Sequence, residues 1–535
     1  MSLQHDKEGN FMSWKRYKKI FTSLDKPLED ETKFILGIDI GNQTSVISYW
    51  NVNRQEPEWI DVSGGYGKPS IPTVLQYVPE HKEWVYGEYA LLNKGFFEDI
   101  TITYPVERLG YGEWIDIGGK PMNLPVLLSR YLKELVEICK NINPNGEIAG
   151  MVVATPTYFS EAAKEELYRA FSLAGLDQQL ITFLPDRECI LHSLYHQQEL
   201  QKQETILYLD YGNESLRGGV FRIEIQEEKI QGKVISSLFD SSLGLRYLDQ
   251  QLHDLFIRFY CDHTGELPEN INPEILQQID VLLYQNKAML LQHYFQGKPM
   301  KLYFNFVHPA FQKKVEIQEL ENIVSPMKER IQAFIQNTLQ KTIGKTIGIQ
   351  EVTKVVLSGG GFEMDWVLET MKEKFPHTPM IHSHFSEGQI SLGACWAAVS
   401  YLGLASPLEI QLEDLHRLNF DVGIKVKTKK GDQFITFVEK KSFWWQDQPH
   451  RWLITQHSKS EELILYFLKR NAKGEETHLC NVPLEGIPIR PKGTTRLEIS
   501  CQMCNPYKLK GVVKDCGFGE FFPATEYTKE FEIEL

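Results

Sequence analysis

Residues 34–50 read FILGIDIGNQTSVISYW, from Phe34 to Trp50. An apolar run leads up to Asp39, Gly41 interrupts it, small polar residues follow, and a second apolar run leaves. That pattern predicts a buried strand, a tight turn and a returning strand, a β-hairpin with an acid near its tip. A glycine at such a turn lets backbone N–H groups come close to an anion. A carboxylate beside it suits hydrated Mg²⁺, which keeps most of its waters and takes few protein carboxylates.

Residues 205–224, TILYLDYGNESLRGGVFRIE, repeat the plan. Aligned on the aspartates, Asp39, Gly41, Asn42, Gln43 and Thr44 stand against Asp210, Gly212, Asn213, Glu214 and Ser215. Internal similarity of this kind predicts a duplicated α/β domain. A charged ligand then belongs in the cleft where both turns converge. A third glycine-rich stretch, Val355–Phe362 (VVLSGGGF), follows another apolar strand and precedes a helical pattern.

The chain has 535 residues, 42% of them hydrophobic, enough for large cores and two or three domains. A formal net charge of −14 disfavours nucleic acid as the main partner. No signal-peptide pattern opens the chain and no long apolar run spans it, so no membrane span is expected. Ile390–Leu404, rich in Gly, Ala and Ser, reads as a packed helix. Eight cysteines in so long a chain do not make a disulfide scaffold, and a reducing, cytoplasmic setting is expected.

Residues 1–30 form an extension in which Phe11, Trp14, Tyr17, Ile20, Phe21 and Leu24 fall at helical spacing among lysines. This predicts an amphipathic helix docked on the protein's own body in preference to a membrane surface. Residues 31–405 alternate strand-like and helix-like segments, as α/β architecture does. Residues 406–421 read as a linker. Residues 422–535 are short alternating segments punctuated by KKGD, NAKG and RPKG, which predicts an antiparallel β-sandwich. Cys501-Gln502-Met503-Cys504 with Cys516 lacks the second close pair of a zinc site and reads as buried strand thiols. The aromatic run Phe443-Trp444-Trp445 suits a peptide-binding surface and a sandwich core equally.

From Phe34 onward the chain resembles the seventy-kilodalton heat-shock chaperones of the DnaK type. GIDIGNQTS and LYLDYGNES match that family's two phosphate loops. ATPTYFSEAAKEELYRAFSLAGL (154–176), SSLGLRYLDQQL (241–252), VVLSGGGFEM and SEGQISLGACWAA (386–398) follow in the family's order. The most specific match is GIPIRPKGTTRLEIS (486–500), which resembles the proline–glycine turn and following strand of the peptide-binding β-domain. Two prolines and a glycine force an ordered turn between strands. The resemblance implies a two-lobed, actin-like ATPase domain followed by an all-β antiparallel sandwich. It implies ATP and Mg²⁺ as cofactors, with Asp39 and Asp210 at the metal. Nucleotide contacts fall to Gly41, Asn42, Gln43, Gly212, Asn213, Glu214, Ser215, Gly244, Lys287, Gly359, Gly360 and Gly361. Unfolded or extended polypeptides are the implied partners, with a J-domain co-chaperone and a nucleotide exchange factor beside them. Matching the family's strands puts Phe434, Leu453 and Leu463 nearest its peptide cleft.

The departures fall on chemistry. Leu91 stands where the family has a lysine that helps hydrolysis, with Lys94 one helical turn on. Leu184, in Phe183-Leu184-Pro185-Asp186, stands where the family has an acid near the metal. Arg217 replaces an aspartate after the second loop, and Glu363 an arginine after the third. Loss of a positioned cation and an acid predicts nucleotide binding with slow or absent hydrolysis. The chain stops after the β-domain, so a lidless member is expected, and Leu415–Asp421 breaks the family's leucine-rich linker. The leading expectation is a DnaK-like, peptide-binding chaperone. Its rival is a non-catalytic adaptor that holds one partner through its β-domain; a small-molecule kinase of the same superfamily is disfavoured by that domain.

Overall fold

Strand Lys33–Ile40 pairs antiparallel with Thr44–Asn51, placing Asp39 opposite Val46. The computed structural model describes residues 33–535 apart from 63–66, 140–145, 158, 341–345, 384, 415–417, 419, 429–430, 441–449, 457–462, 472–473 and 506–507. The basic stretch Phe11–Leu24, the aromatic run Phe443–Trp445 and most of the linker motif therefore lie outside the described residues. Contacts divide the chain into two compact units that meet in sequence between Glu413 and Asp414.

In the first unit, strand Glu147–Thr155 lies parallel to Lys33–Ile40, and Ile181–Pro185 lies parallel to it in turn. On the other side of Lys33–Ile40 come Thr44–Asn51 and then Glu56–Trp59, both antiparallel. A second sheet repeats this order with the same directions: Met380–Ile381, Lys354–Ser358, Gln203–Tyr211, Leu216–Gln226, Lys229–Asp240. Strand Glu409–Asp414 extends the second sheet at its edge.

Period-two alternation sets which way each strand residue points. Phe34, Leu36, Ile38 and Ile40 enter a core built with helices Leu124–Cys139 and Glu161–Leu173, while Ile35 faces the opposite core. Each such side chain stabilises by about 1.5–3 kcal/mol on burial. On Ile35's side, helix Gln389–Tyr401 lies so close that a Cβ on Gly37 would sit 2.2 Å from Cys395 N and Ser391 O. The same helix meets helix Asp186–His196 at Gly393, where a Cβ would fall 1.9 Å from Cys189 O. This is why the segment read as a packed helix carries Gly, Ala and Ser: the backbones touch, and larger side chains would separate them.

In the second unit, one antiparallel sheet runs Gly431–Val438, Asp421–Thr428, Leu463–Arg470, Glu476–Leu484. The other runs His450–Gln456, Thr495–Asn505, Lys508–Asp515, Thr528–Glu534. Val422, Ile424, Phe437 and Phe467 from the first share a core with Leu497, Ile499, Leu509 and Val513 from the second. Cys501 and Met503 point into that core, and among the described residues no cluster of His, Cys, Asp or Glu could hold a metal. The proline–glycine turn is fastened from within. Arg490 donates to both oxygens of Asp515 at 2.7 Å, and Asp515 also accepts from the backbone of Gly517 and Thr525. Burial opposes ionisation of Asp515, but these donors prevail and hold its carboxyl at about 2.

Candidate functional site

The two hairpin turns close with the same hydrogen bond. Gly41 N donates to Thr44 O at 3.0 Å, and Gly212 N donates to Ser215 O at 3.0 Å. A Cβ on Gly41 would meet Thr44 O at 2.6 Å, so glycine is required there; the nearest atom at Gly212 is 3.8 Å away. Thr73 N ties down the first turn through Gln43 O. The second is held by the start of helix Leu245–Thr264, where Leu245 N donates to Gly212 O and Arg246 N to Asn213 O. Gly244 lies against the backbone of Asn213 and Glu214, where a Cβ would come within 2.3 Å. It shapes the turn and does not line the cleft.

The third glycine stretch divides its work. Gly359 adopts φ +90° and ψ 150°, a region open essentially to glycine alone. A Cβ there would meet Tyr211 O at 2.6 Å and Asp210 Oδ1 at 2.7 Å. Gly361 packs on the Tyr211 ring, whereas a Cβ on Gly360 would meet nothing within 4 Å. Gly360 therefore gives onto open space.

The cleft between the two sheets gathers Asp39, Gly41, Asn42 and Gln43 from one hairpin and Asp210 and Gly212–Ser215 from the other, with Gly359 and Gly360 between them. It encloses about 120 Å³. A larger groove of about 890 Å³ lies at the opposite ends of the second sheet's strands, near Glu204, Arg222 and Glu413, away from these turns. Lys287 is not part of the cleft wall: its ammonium donates to Asp249 at 2.8 and 3.1 Å.

Two further acids line the cleft that the motifs did not mark as site residues. Asp186 opens helix Asp186–His196 and Glu387 precedes helix Gln389–Tyr401. Leu184 faces inward to the hydrophobic core, and Asp186, two residues on, reaches the cleft instead. Strand alternation followed by a helix start could have signalled this, since the strand ends at Pro185. Leu91 and Lys94 do not line the cleft either.

So many carboxyls in one place shift one another. Burial, then the charges of Asp210 and Asp186, push Asp39 up to about 8. Burial, then Glu363, pushes Glu387 up to about 7, and Glu387 also accepts from the Thr44 hydroxyl. Burial and a carboxyl–carboxyl hydrogen bond with Glu107 raise Glu214. Against these stands Arg217, which donates to Asp186 Oδ2 at 3.0 Å and forms an ion pair with Asp210 Oδ2 at 2.6 Å. Burial raises Asp210 while Arg217 pulls the other way. The expected pairing of Asp39 and Asp210 around Mg²⁺ meets an obstacle here, because Asp210 is already committed to a guanidinium.

The three positions expected at a peptide cleft are spread over two sheets. Phe434 lies on the edge strand Gly431–Val438 with the Arg470 guanidinium 4.1 Å above its ring. Leu463 starts a strand of the same sheet and packs against the shared core. Leu453 lies on His450–Gln456, the edge of the other sheet, and is 59% exposed. Trp452 beside it and Ile464 and Tyr466 on the other sheet are also exposed.

A mixed α/β unit with two sheets of one strand order around an acidic cleft, followed in the chain by a two-sheet antiparallel unit, defines the class. Residues 56–255 match the C-terminal model of a family of unknown function (DUF5716), and residues 417–535 match a domain of unknown function (DUF8552). The chain is 23% identical over 508 residues to the chaperone protein DnaK of Thermotoga petrophila, covering 92% of this chain and 80% of that one. The DnaK of Thermotoga maritima gives the same figures. That of Thermosipho melanesiensis is 22% identical over 502 residues, with the same coverage. The protein is a distant relative of DnaK along nearly its whole length. Among the described residues no helix is long and apolar enough to cross a membrane.

Proposed function

We propose that this is an Hsp70-like chaperone whose first unit, an actin-like ATPase domain, binds adenine nucleotide and whose second unit, a β-sandwich, binds extended apolar polypeptide. The observation that carries the reading is the pair of identically closed turns, Gly41–Thr44 and Gly212–Ser215, facing one cleft beside Gly360. The turns take the phosphates of ATP, which brings its Mg²⁺, and Gly359 and Gly360 approach the nucleoside side. Asp39 is the strand-end acid left for the ion's water shell. The relatives' name supports chaperone activity, and co-chaperone partners of the J-domain and nucleotide-exchange kinds follow from the same likeness.

A cavity of 120 Å³ is smaller than the roughly 300 Å³ at which small-molecule sites usually begin. Nucleotide binding is therefore expected to part the two sheets. Turnover is slow in this reading, because neither Leu91 nor Leu184 reaches the cleft and, of its two added acids, Asp186 is held by Arg217 and Glu387 is pushed toward its neutral form by burial. Peptide binding uses main-chain pairing along exposed strand edges, with apolar side chains such as Leu453 beside it.

Calorimetric titration with ATP in Mg²⁺ tests the first half. Heat is expected from the parent, and Gly360→Leu, whose Cβ meets nothing within 4 Å, is expected to abolish it while the melting temperature stays put. No heat from the parent overturns the nucleotide reading. A peptide array tests the second half, and the absence of any preference for apolar segments would favour an adaptor.

A further inference from the structure

Arg217 is held in place by two elements besides its own strand. Its strand position is directly opposite Asp210 in the antiparallel pairing of Gln203–Tyr211 with Leu216–Gln226, so the backbone register itself brings the two side chains together. Its second partner, Asp186, comes from the first turn of a helix belonging to the other half of the fold. Asp186 is fixed in turn, its Oδ1 accepting from Arg187 N at 2.7 Å and from the Thr157 hydroxyl at 3.3 Å. The two carboxylates are buried, at 5% and 3% exposure, while a quarter of the Arg217 side chain faces the cleft.

A planar guanidinium spans two carboxylates in a way a point charge does not, and it is more weakly hydrated than a small metal ion. Mg²⁺ placed between the same acids would have to shed water and sit beside a fixed positive charge. Resting on the nucleotide reading above, we propose that Arg217 is the resident cation of this cleft. It takes the place of a protein-bound divalent ion and supplies the positive charge that the phosphates meet. Mg²⁺ then enters and leaves only as the counter-ion of the nucleotide, and diphosphate binding does not depend on it.

The experiment is calorimetric titration of the full chain with ADP in excess EDTA and in excess Mg²⁺. For the parent, the two affinities are expected to agree within about threefold. Arg217→Gln is expected to lose about tenfold or more in EDTA and to recover in Mg²⁺, because Asp186 and Asp210 become open to the ion. Arg217→Lys, which keeps the charge but cannot span both acids, is expected to fall between. Titration with Mn²⁺ alone is expected to give no heat with the parent and measurable heat with Arg217→Gln.

A parent that loses about tenfold or more in EDTA overturns the inference and leaves the nucleotide reading standing. So does Mn²⁺ heat from the parent alone. No ADP heat from the parent in either condition removes the nucleotide reading, and this inference with it. Because the parent's own metal dependence decides the matter, the test survives a variant that fails to fold.

Discussion

In the first hairpin Asp39 stands opposite Val46, and in the second Asp210 stands opposite Arg217. Strand pairing and turn hydrogen bond are the same in both, so this exchange is a clean one of side chain on a common backbone. Its consequence is electrostatic. Asp39 has no cation across the strand and is driven toward its neutral form by burial and its neighbours, whereas Asp210 is held by a fixed guanidinium. The flanking strands show a similar contrast: Ala154 pairs with Asp39 and leads into Thr155 and Pro156, while Ser358 pairs with Asp210 and leads into Gly359 and Gly360. The second hairpin thus keeps the hydrogen-bonded frame of the first, and each fills its free positions differently.

The hardest way to break the equivalence is to write the first half into the second. Gly359→Thr copies Thr155, yet it forces a branched side chain into φ +90° and onto Tyr211 O. A loss of about 3 kcal/mol or more is expected in urea unfolding of the first unit. A smaller loss would mean that the local backbone can relax to the Thr155 path.

Arg217→Val copies Val46 and leaves Asp186 and Asp210 buried without their cation. Removing one partner of a fully buried pair costs about 3–5 kcal/mol, and the exposure of Arg217 lowers the expectation to about 2 kcal/mol. Unchanged stability would show that solvent, not Arg217, balances those acids.

Asp39→Asn and Asp210→Asn are expected to diverge. The folded chain holds a proton on Asp39 up to about pH 8, whereas an unfolded aspartate releases it near pH 4. Over that interval the folded state binds more protons, so this group lowers stability as pH rises. Asparagine removes the penalty: Asp39→Asn should be more stable than the parent at pH 8 and indistinguishable from it near pH 4. Burial raises the Asp210 carboxyl as well, but Asp210→Asn also strands one arm of Arg217, so its gain at pH 8 should be smaller than that of Asp39→Asn. Melting curves at both pH values decide it, and equal responses of the two variants would mean that Arg217 does not set the two aspartates apart.

Gly360→Ala should have the smallest effect, within about 0.5 kcal/mol, since its Cβ meets nothing. A larger loss in the melting curve would mean that the third glycine stretch is constrained throughout, as Gly359 is.

Much of this frame was legible along the chain because it is local. A strand, a glycine turn and a returning strand are set by alternation and by hydrogen bonds spanning four residues, so Asp39–Thr44 and Asp210–Ser215 could be aligned by eye. Gly360 likewise fell on the cleft wall. Gly244, Gly361 and Lys287 did not, since motif position says which segment is near a site and not which atom faces it. Gly244 supports a turn, Gly361 packs on Tyr211, and Lys287 is committed to Asp249.

What the sequence by itself determined is the repeated hairpin, the third glycine strand, the packed helix with its close-contact glycines, and the antiparallel texture after Val422. All of these follow from periodicity and backbone geometry within a few residues. Only the tertiary structure decided which charges share the cleft. Asp186, Arg217 and Glu387 are remote from Asp39 in the chain, and Leu184 differs from Asp186 merely by which side of a strand end it leaves. Electrostatic neighbourhoods depend on distances of a few ångströms between elements that are far apart in the chain, and no local pattern encodes those distances.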